Sequence, residues 1–251
     1  MHGRSRLAAV LACVVATAGL ARATPSSTYW TPMTPDVQSY GVPHLGVDNY
    51  FTVFQNAKDE GGQFPTDLGL TIGVLPFKTV VAEVGVDLLE SSDDPLFFNA
   101  KIGMPEEALF AGSPTLQAGI FNAGTKKDVT DQNIVYAVIG KTIPSLGRLS
   151  AGPYIGNRKV LVNKDGNEAN TGVMVAYDRG SLPVKDSKGN EYNQWVFAAD
   201  YASGKNALGG GGFGIYHFFT KDISLLTGPV WFNEEAINGQ WKWTVQLDIN
   251  L

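Results

Sequence analysis

The last eleven residues of the chain, from Trp241 to Leu251, alternate strictly between apolar and polar side chains. The apolar residues occupy the odd positions and the polar residues the even ones. Successive side chains on a β-strand point to opposite faces, so this pattern predicts a strand with one apolar and one polar face. Its length suits a tilted strand that crosses a membrane, which takes about 9–11 residues. The pattern is therefore typical of the closing strand of a transmembrane β-barrel.

The same period of two recurs between clusters of Gly, Pro, Asn and Asp along the rest of the chain, and no helical stripe of useful length accompanies it. These segments predict an all-β chain, a transmembrane antiparallel up-and-down β-barrel of about 12 strands over residues 44–251. The predicted strands are 44–56, 66–76, 78–90, 95–104, 114–123, 132–142, 146–157, 170–179, 191–203, 211–220, 222–232 and 240–251.

The connections between these strands alternate in character. Short links at 75–77, 142–147 and 220–222 resemble periplasmic turns, and two longer links, 105–113 and 180–190, fall on the same side. The opposite side carries polar links, as expected for loops that face outward. These loops are 57–65, 91–94, 124–131, 158–169, 204–210 and 233–239.

The first 23 residues predict a cleavable signal peptide. Arg4 and Arg6 precede an apolar stretch over residues 7–20, and Ala21-Arg22-Ala23 fits the small-x-small cleavage rule. Cys13, the one cysteine of the chain, lies within this segment, so we expect a mature protein without thiols or disulfides. A lipid anchor at Cys13 is the alternative, but it would leave an apolar core of only residues 7–10.

Residues 24–43 contain Pro25, Pro32, Pro35 and Pro43, which is too much proline for a membrane-crossing strand. We therefore predict a proline-rich periplasmic leader, or a segment that tucks into the mouth of the barrel.

Charge and hydropathy narrow the possible partners. Loss of Arg4, Arg6 and Arg22 with the signal peptide changes the formal charge from −5 to about −8, which argues against nucleic-acid binding. No apolar run of 18 residues follows the signal peptide, so the sequence predicts no helical membrane span.

With a signal peptide, about twelve amphipathic strands and an amphipathic C-terminal strand, the chain resembles the outer-membrane β-barrel proteins of Gram-negative bacteria over residues 44–251. The resemblance is to an architectural class of the cell envelope. It implies location in the outer membrane, contact with outer-membrane lipids and recognition by the barrel-insertion machinery. That machinery reads a terminal Phe or Trp in most such proteins, whereas this chain ends in Leu251.

A barrel of about twelve strands has a lumen of intermediate width, which allows a narrow pore. The strand phases predict that charged and amide side chains of both signs face this lumen. These candidate lumen residues are Glu83, Asp87, Asn99, Lys101, Gln117, Arg148, Asp200, Lys242, Gln246 and Asp248. Many further inward positions are glycine, which would widen the lumen or ease curvature. The structural alternative is that the charges pair with each other across a plugged interior.

Aromatic residues gather near the predicted strand ends and suggest girdles at the two membrane interfaces. The candidate girdle residues are Phe77, Trp195, Phe218 and Phe219 at the inner rim, and Trp231, Phe232, Trp241 and Trp243 at the outer rim. The alternative reading is that aromatic residues simply favour strands.

No pattern predicts catalysis, a cofactor or a metal site. Only His44 and His217 follow the signal peptide, and neither lies near a Ser and carboxylate motif. A lone histidine within a strand is more often packed than catalytic. The acidic segments 90–94 and 234–235 suit solvated loops.

The leading hypothesis is therefore a non-enzymatic, monomeric, porin-like barrel that acts as a narrow pore or passive channel for small solutes. A structural or surface-interaction barrel with a plugged lumen is the second hypothesis. A secreted soluble β protein is the third.

Overall fold

A computed structural model describes residues 27–53, 64–181 and 183–251. Twelve long strands close into one antiparallel barrel, and two short strands form a separate hairpin. The strands are β1 (Pro43–Phe51), β2 (Thr66–Gly73), β3 (Val81–Glu90), β4 (Leu96–Met104), β5 (Thr115–Gly124), β6 (Asp131–Ile143), β7 (Gly147–Ile155), β8 (Thr171–Gly180), β9 (Pro183–Lys185), β10 (Glu191–Asn193), β11 (Trp195–Ala202), β12 (Gly210–Thr220), β13 (Ile223–Phe232) and β14 (Lys242–Asn250). The predicted closed barrel of about twelve strands is confirmed.

The C-terminal strand closes the barrel against the first one. His44 of β1 pairs with Asn250 of β14, and Phe51 pairs with Trp243 at the other end of the same ladder. We call the end where β1 begins and β14 ends the terminal rim, and the opposite end the loop rim. Because the ring of twelve strands is complete, no strand of the barrel leaves an unpaired edge.

One link differs from its prediction. Residues 183–193 form the β9–β10 hairpin, so the strand predicted at 191–203 is divided at Gln194, and β8 pairs directly with β11. A tight turn connects β9 to β10, in which the Asp186 carboxylate accepts hydrogen bonds from the backbone N–H groups of Lys188 and Asn190 at 2.8 Å each.

A short helix, α1 (Glu235–Asn238), lies in the last loop. Among the described residues, no helix has the length and apolarity needed to cross a membrane.

Alternation along each strand exposes apolar side chains on the outer face of the barrel. On β6, Val135 and Ile139 are 51% and 52% exposed, whereas the intervening Tyr136 and Val138 are buried inside. The interior therefore contains apolar clusters as well as the predicted polar groups, and the lumen is partly filled.

Two of the candidate girdle residues face the interior, so their assignment is wrong. Phe218 is buried against Tyr216, and Phe232 packs edge-on against Trp30 with ring centroids 5.2 Å apart. Each follows or precedes an outward aromatic residue, and neighbouring residues on a strand cannot share a face. Trp241 is half-buried just before β14. The outward, exposed members of the set are Phe77, Trp195, Phe219, Trp231 and Trp243.

Candidate functional site in the barrel lumen

Residues 27–38, which we call the inner segment, run through the barrel lumen. Tyr29 lies beside the half of β12 that is nearer the loop rim, and Gln38 lies near the terminal rim. Tyr29, Thr31 and Met33 are fully buried within the lumen. A segment that forms no sheet needs other partners for its backbone groups, and the lumen wall supplies them. A separate periplasmic leader is therefore wrong for these residues, which lie inside the barrel. Residues 24–26 of the predicted leader lie outside the described residues.

The Asp200 carboxylate on β11 anchors the start of the inner segment. It accepts hydrogen bonds from three consecutive backbone N–H groups, those of Tyr29 at 3.0 Å, Trp30 at 2.9 Å and Thr31 at 2.7 Å. The Thr31 hydroxyl also donates to it at 2.9 Å. Successive N–H groups that converge on one anion form a strong site, because each bond is charge-assisted.

Other lumen side chains hold the rest of the inner segment. Gln246 donates to the Tyr29 carbonyl at 2.9 Å, and the Ser150 hydroxyl donates to the Met33 carbonyl at 2.6 Å. The Arg148 guanidinium binds both carboxylate oxygens of Asp36 at 2.7 and 2.6 Å, and its Nε donates to Asp178 at 2.8 Å. A two-point guanidinium contact fixes orientation as well as distance.

Near the terminal rim, the inner segment meets an ion pair between Glu83 and Lys101, whose charged atoms are 3.2 Å apart. The Glu83 carboxylate accepts the Gln38 backbone N–H, and Lys101 lies 3.5 Å from the Thr34 carbonyl. The Gln117 amide donates to the Pro35 carbonyl. Six of the ten candidate lumen residues thus contact the inner segment. They are Glu83, Lys101, Gln117, Arg148, Asp200 and Gln246.

Glycines on β12 and β13 leave room for the Tyr29 ring. A Cβ atom at Gly214 would lie 2.6 Å from the ring, and one at Gly228 would lie 2.7 Å from the Tyr29 hydroxyl. That hydroxyl donates to the Pro229 carbonyl at 2.9 Å. The inward glycines of the wall therefore accommodate an internal segment rather than an open channel at this position.

Beside the inner segment, a cavity of about 280 Å³ remains along β1, β2, β3 and β14. It extends from Phe64, Leu208 and Asn238 at the loop rim down to His44 near the terminal rim. Gln38 lies between this cavity and the terminal rim. Its side-chain amide donates to the Val42 carbonyl at 3.0 Å and to the Asn250 side-chain carbonyl at 3.2 Å. The cavity is thus narrowed at the terminal rim by side chains that bond to one another.

The other four candidate lumen residues lie beside this cavity or at its loop-rim end, and none of them bonds to the inner segment in the described hydrogen bonds. They are Asp87, Asn99, Lys242 and Asp248. The Asn99 amide donates to Asp87, and Asp248 lies 3.2 Å from His44 Nε2. Lys242 is fully buried and donates to the Thr52 hydroxyl at 2.9 Å. All ten candidates are therefore buried or half-buried on the inner face, Asn99 and Arg148 being the half-buried ones.

The sequence analysis missed several lumen residues, among them Asp36, Asp48 and Asp67. Asp48 and Asp67 line the cavity, and the signal for them was available, because they alternate with Val47 and Leu68 on their strands. Asp36 lies on the inner segment, which has no strand period, so its position could not be deduced from alternation.

His44 and His217 each contact neighbouring side chains of the barrel wall. His44 contacts Asn250 at 3.0 Å through Nδ1 and Asp248 through Nε2. His217 lies between Trp195 and Phe219 on the outer face, tilted to the first ring and edge-on to the second. Within the described ranges, no set of three or more His, Cys, Asp or Glu side chains is arranged to hold a metal ion.

Outside the barrel wall, the loop at 105–114 is tied to β6 by Glu106. Its carboxylate accepts the Thr142 N–H at 3.1 Å and hydroxyl at 2.7 Å, and it pairs with Lys141 at 2.6 Å. Partial burial opposes ionisation of Glu106, but the hydrogen bonds from Lys141 and Thr142 outweigh it and lower the pKa of this carboxyl.

No family model and no curated protein matches this chain. Solved structures similar to it include an outer-membrane channel from Pseudomonas putida F1, with 9% identity over 91% of this chain and 99% of that chain and a TM-score of 0.45. The NanC porin has 7% identity over 82% and 98% of the two chains and a TM-score of 0.49. Outer-membrane phospholipase A from Escherichia coli has 15% identity over 89% and 97% and a TM-score of 0.42. The likeness is one of architecture, that of Gram-negative outer-membrane β-barrel proteins.

Proposed function

We propose that this protein is an outer-membrane β-barrel that forms a narrow pore for small solutes, constricted by its own inner segment. The apolar outer face supports the membrane location, because water-soluble proteins rarely expose such continuous apolar surface. A closed barrel also satisfies the strand backbone without water. The signal peptide predicted at residues 1–23, which lies outside the described residues, agrees with export.

The terminal rim would face the periplasm, because the two shortest turns, 144–146 and 221–222, lie on that side, and the longest continuous loop, 156–170, lies on the other. Lipids would cover the apolar outer face. Insertion by the barrel machinery, despite a terminal Leu251, and a monomeric state remain predictions.

The cavity of about 280 Å³ beside the inner segment is the observation that carries the pore proposal. It follows the wall from the loop rim to His44, and among the described residues the side chains of Gln38 and Asn250 narrow its terminal-rim end. Packed protein cores rarely contain a cavity of this size, because their side chains interdigitate closely.

Single-channel recording of the full mature protein in planar bilayers tests the proposal. We expect small, discrete conductance steps, and we expect Gly46→Leu to reduce them because a Cβ at Gly46 would meet nothing closer than the His44 ring at 4.0 Å and so projects into the cavity. Val135→Leu, on the outer face, is the matched control and should leave the steps unchanged. The pore proposal would be refuted if neither the wild-type protein nor Asp200→Ala conducted.

A plugged barrel is the second candidate, and the Asp200 anchor favours it. In that case the barrel would act as a structural or surface-interaction protein. It predicts that deletion of 158–169 or 124–131 spares insertion but abolishes binding of envelope components or other cells to the loops.

A disulfide between Pro35→Cys and Gly140→Cys separates these two candidates, because an ideal Cβ at Gly140 lies 2.9 Å from the Pro35 Cβ, close to the 3.5–4.5 Å of a disulfide. If the inner segment gates the pore, the oxidised form should conduct less than the reduced form. If the lumen is permanently blocked, neither form should conduct.

Heat-modifiable migration on a denaturing gel, combined with membrane fractionation, tests the location. A protein that migrates identically with and without heating and that stays in the soluble fraction would instead be the secreted soluble β protein.

A further inference from the structure

The described residues that line the cavity beside the inner segment include four carboxyl groups and no lysine or arginine. Asp48, Asp67, Asp87 and Asp248 all line it. Asp248 pairs with His44, but within the described ranges no lysine or arginine forms an ion pair with the other three. Uncompensated carboxylates in an enclosed site are costly, so a cationic group that enters would be attracted to all of them.

One of these carboxylates also lacks a hydrogen-bond partner. The Oδ1 atom of Asp67 is buried and accepts no hydrogen bond from the described residues. Asp87, across the β2–β3 ladder, is occupied by the Asn99 amide. A buried acceptor without a protein partner is rare in native structures, and such an atom is available to a bound water, ion or ligand.

Aromatic rings line the loop-rim end of the same cavity. The Trp30 ring lies 5.4 Å from Tyr50 and 6.1 Å from Phe64, and the last two lie 5.7 Å apart. The Lys242 ammonium lies 5.9 Å from the centroid of Phe64, so this aromatic cluster already holds one ammonium group of the chain itself. Ring faces attract cations, and groups of such rings recognise quaternary ammonium ligands.

The size of the cavity suits a small organic molecule. At about 280 Å³ it is larger than an engineered protein cavity of about 150 Å³ that binds benzene. A bare metal ion would leave most of this space empty and would not use the aromatic rings.

From carboxylates, rings and volume together, we infer that the cavity binds small organic cations, namely amines and quaternary ammonium compounds, with the ammonium group attracted both by the Asp48 and Asp67 carboxyl groups and by the faces of the rings. This inference rests on the proposed pore, for which it names the solute class.

Calorimetric titration of the detergent-solubilised full mature protein with choline tests the inference without any need for conductance. The matched ligand is 3,3-dimethylbutan-1-ol, which has the shape of choline without its charge. We expect choline to bind with one site per barrel and the neutral alcohol to bind at least tenfold more weakly. Absence of choline binding, or equal binding of the two ligands, would overturn the inference.

A double variant locates the site. Asp48→Asn combined with Asp67→Asn should weaken choline binding at least tenfold, while Asp93→Asn, on an exposed loop, should leave it unchanged. Heat-modifiable migration checks that the double variant folds, and the comparison of the two ligands on the wild-type protein does not depend on it. Unchanged choline affinity in a folded double variant would exclude this cavity as the site.

Bilayer recordings keep the two proposals separate. Choline binding without conductance would refute the pore and leave the inference standing. Conductance that is equally permeable to potassium and chloride, together with a lack of choline binding, would refute the inference and leave the pore standing.

Discussion

Replacement of Asp200 by alanine should free the inner segment while the barrel stays closed. The carboxylate accepts three backbone N–H groups and the Thr31 hydroxyl, and it is almost fully buried. Alanine leaves these donors without their acceptor. The strand ladders on either side of Asp200, to Ala176 and Gly212, use backbone groups and do not change.

The magnitude follows from the hydrogen-bond count. A hydrogen bond to a charged group contributes about 1.5–3 kcal/mol. All four donors contact the same carboxylate oxygen, Oδ2, and water can enter a lumen and satisfy freed donors, so we count only two bonds at the lower value. The docked segment should then lose about 3 kcal/mol, which is roughly a 100-fold rise in its released population. Asp200→Asn, which keeps one acceptor oxygen, should give a smaller rise.

A cysteine at Met33 reports release. Met33 is fully buried, and the one native cysteine, Cys13, lies in the predicted signal peptide. When opening and closing are fast, the rate of maleimide labelling of Met33→Cys follows the released population. The rate should rise roughly 100-fold when Asp200→Ala is added to this background.

Asp93→Ala, on an exposed loop, is the control and should leave the labelling rate unchanged. Heat-modifiable migration verifies that the barrel itself is intact. A labelling rate that rises less than threefold in an intact Asp200→Ala barrel would show that the carboxylate does not hold the inner segment, and the reasoning would be refuted.

Two further predictions use other contacts. Gly140→Ala should increase release of the inner segment, because its Cβ would lie 2.9 Å from Pro35. Gly46→Ala, whose Cβ would face the open cavity, should not increase release. The labelling rate of Met33→Cys compares the two variants, and equal rates would contradict the packing argument. Because the folded-state pKa of Glu106 is lowered, its bonds to β6 should be complete at neutral pH and be lost as the pH falls below the usual range for glutamate. Amide hydrogen exchange at Thr142 should therefore be faster in Glu106→Gln than in the wild-type protein at neutral pH, and the difference should vanish in acid; a difference that does not depend on pH would contradict the assignment.

Strands were predictable because their signal is local. The period of two identifies β14 from a single stretch of eleven residues, and the same rule predicts β3, β4 and β11. Alternation also indicates which side chains face inward, and Glu83 and Lys101 lie inside as that phase requires. Its strict application would have excluded Phe218 from the inner-rim girdle and Phe232 from the outer-rim girdle, since their neighbours Phe219 and Trp231 face the membrane side of the wall.

The candidate site was less predictable because its contacts join distant parts of the chain. Tyr29 and Asp200 are separated by 171 residues, and Gln246 and Tyr29 by 217. The proline content of residues 24–43 predicts no strand, and residues 27–42 form none, although Pro43 begins β1. Proline does not indicate which surface such a segment covers. The sequence analysis therefore left open both a leader and a segment in the barrel mouth.

The sequence by itself determined the all-β class, the number of barrel strands and the inward or outward direction of most strand residues, because backbone alternation and turn residues act over a few positions. Tertiary structure alone decided that residues 27–38 occupy the lumen and that four aspartates and a group of aromatic rings surround the space that remains. Closure of the barrel brings β1 against β14, and only that closure encloses a lumen in which a buried carboxylate such as Asp200 needs the backbone of the inner segment as its partner.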